Sequence, residues 1–410
     1  MVPITEAKTI LQKIVQTIPP ALIGPDRVTY LLDTADKIPS EEKIVLRELF
    51  NKFLTSMIER EASDIEVGGH GNGGYVWMRI HGKKERIKDF LQLTEEEAAV
   101  IIINLLNNNQ RKYLSVTRNL DFSYTYLYER RRTNVRFRAD AYFDLDSLAL
   151  NMRSINAKVF PLESLEFHPL ALKAMSHNYI KFGLSLITGI TGSGKSTTLD
   201  AIIDYHNKFD PSHIVIIASP IEFVHNSNVS IIRHREVGRD VLSFKDGVIQ
   251  SLRQDPDIIV IGEMRDPDTI LAALEVTDTG HKVFSTLHTS SAVESLDRIV
   301  AEVHPNEQDR VRNRLADVLI SVVSQKLVPS LDGKRVLAKE VLIVNPSVKA
   351  AIKNNNTSEI YMMINQGAQQ GMLTLEQDLK RLYLQKKISL EAAISYSNNK
   401  TRIQQILSAV

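Results

Sequence analysis

An α/β fold is what the 410-residue sequence predicts, and three observations carry the prediction. Between about 169 and 345, short apolar runs (LSLIT, HIVIIAS, DIIVIGE and KVFSTL) alternate with helical segments, as in doubly wound sheets. The first run exits into a glycine-rich turn, GITGSGKS, that opens an amphipathic helix. After about 345 the apolar spacing becomes helical again.

Taken in order, the first sixty residues predict helices. In SEEKIVLRELFNKFLTSMIERE, Val45, Leu46, Leu49, Phe50, Phe53, Leu54, Met57 and Ile58 form a one-faced stripe. Ser40 is placed to cap this helix, and Glu41 and Glu42 lie at the positive end of its dipole. From Ala62 to Ser154 short strands broken by turns take over. GGHGNGG (68–74) is a turn cluster, YVWMRIHG and VRFRADAYF (135–143) are strands, and one helix is expected at roughly 94–110. This is a small α+β domain. KVFPLESLEFHP (158–169) reads as a linker into the α/β domain. Beyond it, TLEQ (374–377) is a capping box and Ser389 is placed to cap the next helix. The expected division is 1–60, 61–157, a linker at 158–168, 169–345 and 346–410.

Composition narrows the function classes. With 43% hydrophobic and 24% charged residues, the chain can bury a core in each of two or three domains. A net charge of +1 gives no global basic field, so a nucleic-acid translocase, the reading that the arginine-rich stretch 130–153 invites, is not expected. Zero cysteines exclude disulfides, thiol catalysis and cysteine-ligated zinc. MVPITEAKTILQK lacks a basic-then-apolar leader, and AAVIIINLL is too short to span a bilayer, so a cytoplasmic location is expected.

GITGSGKS (189–196) matches G-x-x-x-x-G-K-[ST]. Glycines let backbone N–H groups wrap phosphates, a lysine meets the β and γ oxygens, and a hydroxyl binds Mg2+. Gly189, Gly192 and Gly194 supply the wrap, Lys195 the charge and Ser196 the metal ligand, with Thr191, Ser193 and Thr197 completing the expected ATP-binding set. A hydrolysing site also needs an acid at the end of a neighbouring strand. The buried-strand pattern of Ile258–Ile261 ends in Gly262-Glu263, which makes Glu263 the second candidate for magnesium or its water. In KVFSTLHTSS, Phe284, Thr286 and His288 share a face by period two, which puts His288 at the strand end, where a γ-phosphate would lie. A fourth strand end, IIASP, carries Ala218 where an acid would be useful.

Together, GITGSGKST, SPIEFVH, REVGRD, LRQDPDIIVIGEMRDPDTI, TGHKVFSTLHTSSAVESLDRI and QKLVPSLDGKRVLAKE resemble the secretion ATPase superfamily. Within it they resemble the retraction ATPases of type IV pili (PilT-like), with some likeness to type IV secretion ATPases. The resemblance implies a PAS-like N-terminal domain, a RecA-like P-loop ATPase domain and a C-terminal helical bundle. It also implies a homohexamer acting on an inner-membrane platform, with arginines of the N-terminal domain on the ATP phosphates. The matching positions are Arg138, in RFRADAY, and Arg153, in MRSIN. A planar guanidinium bridges phosphate oxygens in two-pronged fashion, which suits that role. Pilus-extension and type II secretion relatives typically carry a four-cysteine zinc site, which this chain cannot build.

Two stretches depart from the family. SPIEFVH aligns with the Asp box, usually Glu-Asp-Pro-Ile-Glu or Glu-Ser-Pro-Ile-Glu, and Ala218 replaces its first glutamate, the water-activating base. Glu222 follows the strand end by four residues and is not expected to replace it. The substitution leaves three readings open: a natural slow or inactive motor, an introduced trap for ATP, or a larger catalytic share for Glu263. The second departure is in SVKAAIKN (347–354). Lys349, Lys353 and Asn354 stand where the retraction motif has two arginines and a glutamate, and lysine does not reproduce a two-pronged contact. The function expected is therefore a hexameric Mg-ATP-dependent motor of a retraction-type pilus or related secretion machine, slow or inactive as sequenced. The alternatives are an ATP-binding scaffold ring that does not hydrolyse and a type IV secretion ATPase.

Overall fold

The computed structural model describes residues 4–128, 133–155 and 159–408. Arg130, Arg131 and Arg132, half of the arginines between 130 and 153, lie outside them, as do Ala157 and Lys158 at the expected domain edge. The chain divides into two compact units, 1–157 with 219–223, and 158–218 with 224–410.

The first unit opens with α1 (Ile4–Val15), α2 (Pro25–Thr34) and α3 (Ser40–Glu59). On α3 the predicted stripe is the buried face, with Leu46, Leu49, Phe50, Phe53, Leu54 and Met57 in the core. Ser40 is not the cap. Pro39 holds the extended cap conformation (φ −55°, ψ 144°), and Ser40 becomes the first helical residue.

Six antiparallel strands follow: β1 (Ala62–Gly68), β2 (Val76–Ile80), β3 (Lys83–Ile87), β4 (Asn119–Tyr128), β5 (Thr133–Asp144) and β6 (Ser147–Ile155). Their spatial order is β3-β2-β1-β6-β5-β4. The single helix expected at 94–110 is two, α4 (Glu95–Ile103) and α5 (Asn108–Thr117). Each begins at its own capping box, Thr94 with Glu97 and Asn107 with Gln110. The second box competes with helix continuation and wins, because it satisfies donors that a restarted helix leaves open.

The second unit holds a seven-stranded sheet in the order β13-β12-β7-β11-β10-β8-β9. The four runs read from sequence are β7 (Gly183–Thr188), β8 (His213–Ala218), β10 (Ile258–Ile261) and β11 (Lys282–Leu287). They are contiguous and parallel, which is why they read as continuous apolar runs. Three further strands complete the sheet: β9 (Ile231–Glu236), β12 (Leu319–Pro329) and β13 (Arg335–Ile343). β9 is a charged edge strand parallel to β8, and β12 lies parallel to β7 but antiparallel to β13.

Helices α6 (Pro169–Met175), α7 (Lys195–Phe209), α8 (Phe244–Ser251), α9 (Pro267–Asp278), α10 (Ala292–Ala301) and α11 (Gln308–Val318) connect these strands. The chain ends in α12 (Pro346–Lys353), α13 (Ile360–Gln366), α14 (Leu375–Leu384), α15 (Leu390–Tyr396) and α16 (Lys400–Ser408). Thr374 and Gln377 form the predicted capping box and Ser389 caps α15. Leu375, Leu379, Leu382, Ala393 and Ile403 from α14–α16 share a core with Val328 of β12 and Ala338 of β13. No helix among the described residues is long and apolar enough to cross a membrane.

Candidate nucleotide site

Sheet order decides which residues meet. The glycine-rich loop leaves β7, His288 follows β11, Glu263 follows β10 and Ala218 ends β8, so four neighbouring strand ends present them in a row. In parallel α/β sheets this carboxyl edge is where ligands are held.

The loop has the backbone of a phosphate cradle. Gly189, Gly192 and Gly194 have φ of 150°, 78° and 90°, and Gly194 is the cap of α7. A Cβ on Gly189 would stand 2.4 Å from Ser193 Oγ and 2.5 Å from the Gln325 carbonyl oxygen, so only glycine fits there. At Gly192 the backbone faces open space. Gln325 on β12, fully buried, donates from Nε2 to the Ser193 carbonyl at 2.9 Å and so fixes the loop from beneath. Sequence reasoning did not single out Gln325. Its signal is a polar residue inside the apolar run LISVVSQKLV.

Lys195 Nζ donates to the Gly189 carbonyl at 2.8 Å and to that of Ile190 at 3.2 Å, which holds the ammonium over the loop. It also lies 3.5 Å from His288 Nδ1. The other ring nitrogen, Nε2, is 3.1 Å from Glu263 Oε1, and Arg265 reaches Glu263 Oε2 at 2.7 Å. The structure thus links Lys195, His288 and Glu263 in one chain of contacts. Thr191, Ser196 and Thr197 are exposed on the loop and the first turn of α7.

Ala218 is half-buried, beside Gly262, where an added Cβ would stand 3.0 Å from the alanine Cβ. Glu222 falls in the 219–223 segment that groups with the first unit, not at this strand end. Just beyond, His225 Nε2 lies 3.1 Å from Asp200 Oδ1 on α7, and burial raises the Asp200 carboxyl against the lowering effect of that histidine. The pair ties the segment after Phe223 to the helix that carries Lys195. His225 stands out in the sequence just after the IIASP strand end, but its pairing with Asp200, 25 residues away, does not.

In the first unit, Arg138 and Arg153 stand directly opposite each other on β5 and β6. Arg138 Nε is 3.4 Å from Asp121, and Arg153 Nε is 2.8 Å from Asp64 Oδ1. Burial alone would raise the Asp64 carboxyl, but hydrogen bonds from Ser63 and Arg153 and the charges of Arg153 and Arg79 outweigh it and lower it.

A cradle of glycines at a helix N-terminus, a lysine over it and a carboxylate at the adjoining strand end define a P-loop nucleoside triphosphatase of the α/β class. The chain belongs to the family described as "Type II/IV secretion system protein", whose profile matches residues 39–410, and it is accordingly an ATPase of the secretion superfamily. It is 40% identical over 324 residues to a "Twitching motility protein" of Neisseria gonorrhoeae, a match spanning 78% of this chain and 84% of that one. It is 39% identical over 342 residues to the "Type IV pilus retractation ATPase PilT" of Pseudomonas aeruginosa PAO1, spanning 83% and 96% of the two chains. Among solved structures, the pilus retraction motor PilT with bound ADP aligns with a TM-score of 0.75 at 36% identity, covering 87% of this chain and 98% of that one. The ATPase DotB of Legionella pneumophila aligns with a TM-score of 0.71 at 25% identity, covering 96% and 98%.

Proposed function

We propose that this chain is a homohexameric, Mg-ATP-dependent motor of a retraction-type type IV pilus or a related secretion machine, held at an inner-membrane platform by its partners. In this reading Gly189, Thr191, Gly192, Ser193, Gly194, Lys195, Ser196 and Thr197 hold the phosphates. Ser196 and Glu263 hold the magnesium ion, which when bound neutralises charge on the phosphate oxygens. The residues fit a magnesium site of this kind. Ser196 is exposed in the first turn of α7 and Glu263 follows the end of β10, and Mg2+ on nucleotides takes one or two such oxygen donors beside phosphate and water.

The observation that carries the reading is the Lys195–His288–Glu263 chain at the end of the parallel strands. An arriving γ-phosphate draws the Lys195 ammonium off the Gly189 and Ile190 carbonyls. His288, between that lysine and Glu263, is then placed to face a phosphate oxygen through Nδ1 while Glu263 fixes its ring through Nε2. Arg138 and Arg153 supply further two-pronged contacts to the phosphates. Water activation lacks a base at Ala218, so turnover is slow or absent in this sequence.

Replacing Lys195 by alanine tests the site. Titration with a fluorescent ATP analogue is expected to lose measurable affinity in Lys195→Ala, with the circular dichroism spectrum kept, and unchanged affinity would refute the assignment. The apolar Ala218 favours one second reading, a ring that uses ATP only to assemble. It predicts ATP-dependent oligomerisation with no turnover even in Ala218→Glu.

A further inference from the structure

The loop that carries His288 is held from the far end of the chain. Two residues past His288, the Ser290 carbonyl accepts a hydrogen bond from Asn398 Nδ2 at 3.0 Å. Asn398 lies between α15 and α16, among the last residues described. Its amide orientation is dictated by a neighbour. Lys326 Nζ, a group that only donates, meets Asn398 Oδ1 at 2.6 Å, which leaves Nδ2 for Ser290.

The turn around Asn398 is clamped on both sides. Lys326 also donates to the Tyr396 carbonyl at 2.9 Å. The buried Glu376 of α14 accepts from the Ser397 hydroxyl at 2.9 Å and from the Asn399 N–H at 3.0 Å. On the other side of the loop, Glu340 Oε1 of β13 accepts the Ala292 N–H at 2.8 Å, and Thr289 Oγ1 shares a hydrogen bond of 2.6 Å with Ser295. Ser290 itself is therefore set between a fixed helix start and a fixed turn. All these residues belong to the second unit.

We infer that Asn398 is a positioning residue for the γ-phosphate sensor: through Ser290 it sets the loop that aims His288, and it makes the C-terminal helices part of the nucleotide reading. The inference rests on the role proposed above for His288. A side chain so far along the chain, exposed and outside every phosphate-binding motif, has no other task visible in its contacts. Both of its polar atoms are spent on joining the terminal turn to this loop and to β12.

Asn398→Asp is the discriminating variant. It keeps the shape and the anchor to Lys326, and replaces the donor facing Ser290 by a second acceptor that repels the carbonyl. The affinities of the full chain for ATP and for ADP are measured by competition against a fluorescent nucleotide, in the parent, in Asn398→Asp and in His288→Ala. Binding is read rather than turnover, so the result does not depend on Ala218. Loss of one neutral hydrogen bond is expected to lower the ATP-over-ADP preference about three- to fivefold, with ADP affinity and melting temperature kept. If His288→Ala lowers the preference and Asn398→Asp does not, the inference is wrong and the sensor assignment stands. If neither moves it, the role of His288 fails and the inference with it. An equal fall in ATP and ADP affinity in Asn398→Asp means general loosening, and also overturns it.

Discussion

Restoring a glutamate at position 218 separates a disabled hydrolase from a scaffold. The neighbouring strand end is Gly262, which sets no side chain of its own against Ala218; a Cβ there would stand 3.0 Å from the alanine Cβ. Glu263 follows that glycine at the adjoining strand end. A positioned general base is worth about two to four orders of magnitude in rate, or about 3 to 5 kcal/mol of barrier. The lower end is expected here. In the β8–β9 ladder Ala218 pairs with Glu236, so the new carboxylate gains a buried like-charged neighbour that favours its protonated form and weakens the gain on the acid side. The assay is steady-state phosphate release at saturating ATP, with ATP affinity measured alongside, for the parent, Ala218→Glu and Ala218→Gln. A rise of about a hundredfold in Ala218→Glu alone is the expected outcome. Two results refute the reasoning: no rise although ATP binds, or the same rise in Ala218→Gln, which fills the space without supplying a base.

Gly189→Ala should abolish nucleotide binding without unfolding the domain, because its Cβ meets Ser193 Oγ and the Gln325 carbonyl inside 2.6 Å and the loop must shift; retained affinity would count against the cradle. Gln325→Leu keeps the volume and removes the donor to Ser193, so ATP affinity should fall about tenfold, read by the same titration. Glu340 gives a pH signature. Burial pushes its carboxyl from 4.5 up to about 7, against the lowering effect of the Ala292 N–H and with Glu376 adding to the rise. The folded form therefore holds the proton more tightly than the unfolded one, so this contribution is fully present below pH 4.5 and lost as pH rises to about 7. Denaturant unfolding at a series of pH values should show the parent losing up to about 3 kcal/mol relative to Glu340→Gln across that window, and parallel curves would contradict it.

The sequence was most legible where one physical signal acted alone. The contiguous strands β7, β11, β10 and β8 are covered on both faces, and continuous apolar runs announce them. Edge and hairpin strands hid. Ile231–Glu236 alternates arginine and histidine at the rim, and β12 carries Ser321, Ser324 and Gln325 because its polar groups face a hydroxyl network and the glycine loop. The α4–α5 break was missed because Asn107 and Gln110 lie inside a run that otherwise favours one helix. At the site, the linear motif disclosed Lys195 and Ser196, and strand-end reasoning disclosed Glu263 and His288. Gln325, Asp200 and Asn398 required the fold, since their meaning lies in partners that are 132, 25 and 108 residues away.

Gln325 and Lys326 are consecutive on β12, and consecutive residues of a strand point to opposite sides of the sheet. One grips the glycine loop from below and the other grips the turn before α16. Only about 3.8 Å of backbone separates the two grips, so no hinge lies between them. The terminal turn and the glycine loop therefore share one strand as their anchor. The amide protons of β12, the Asn398 turn and the loop should exchange with solvent as one cooperative group rather than in order of distance from the chain end.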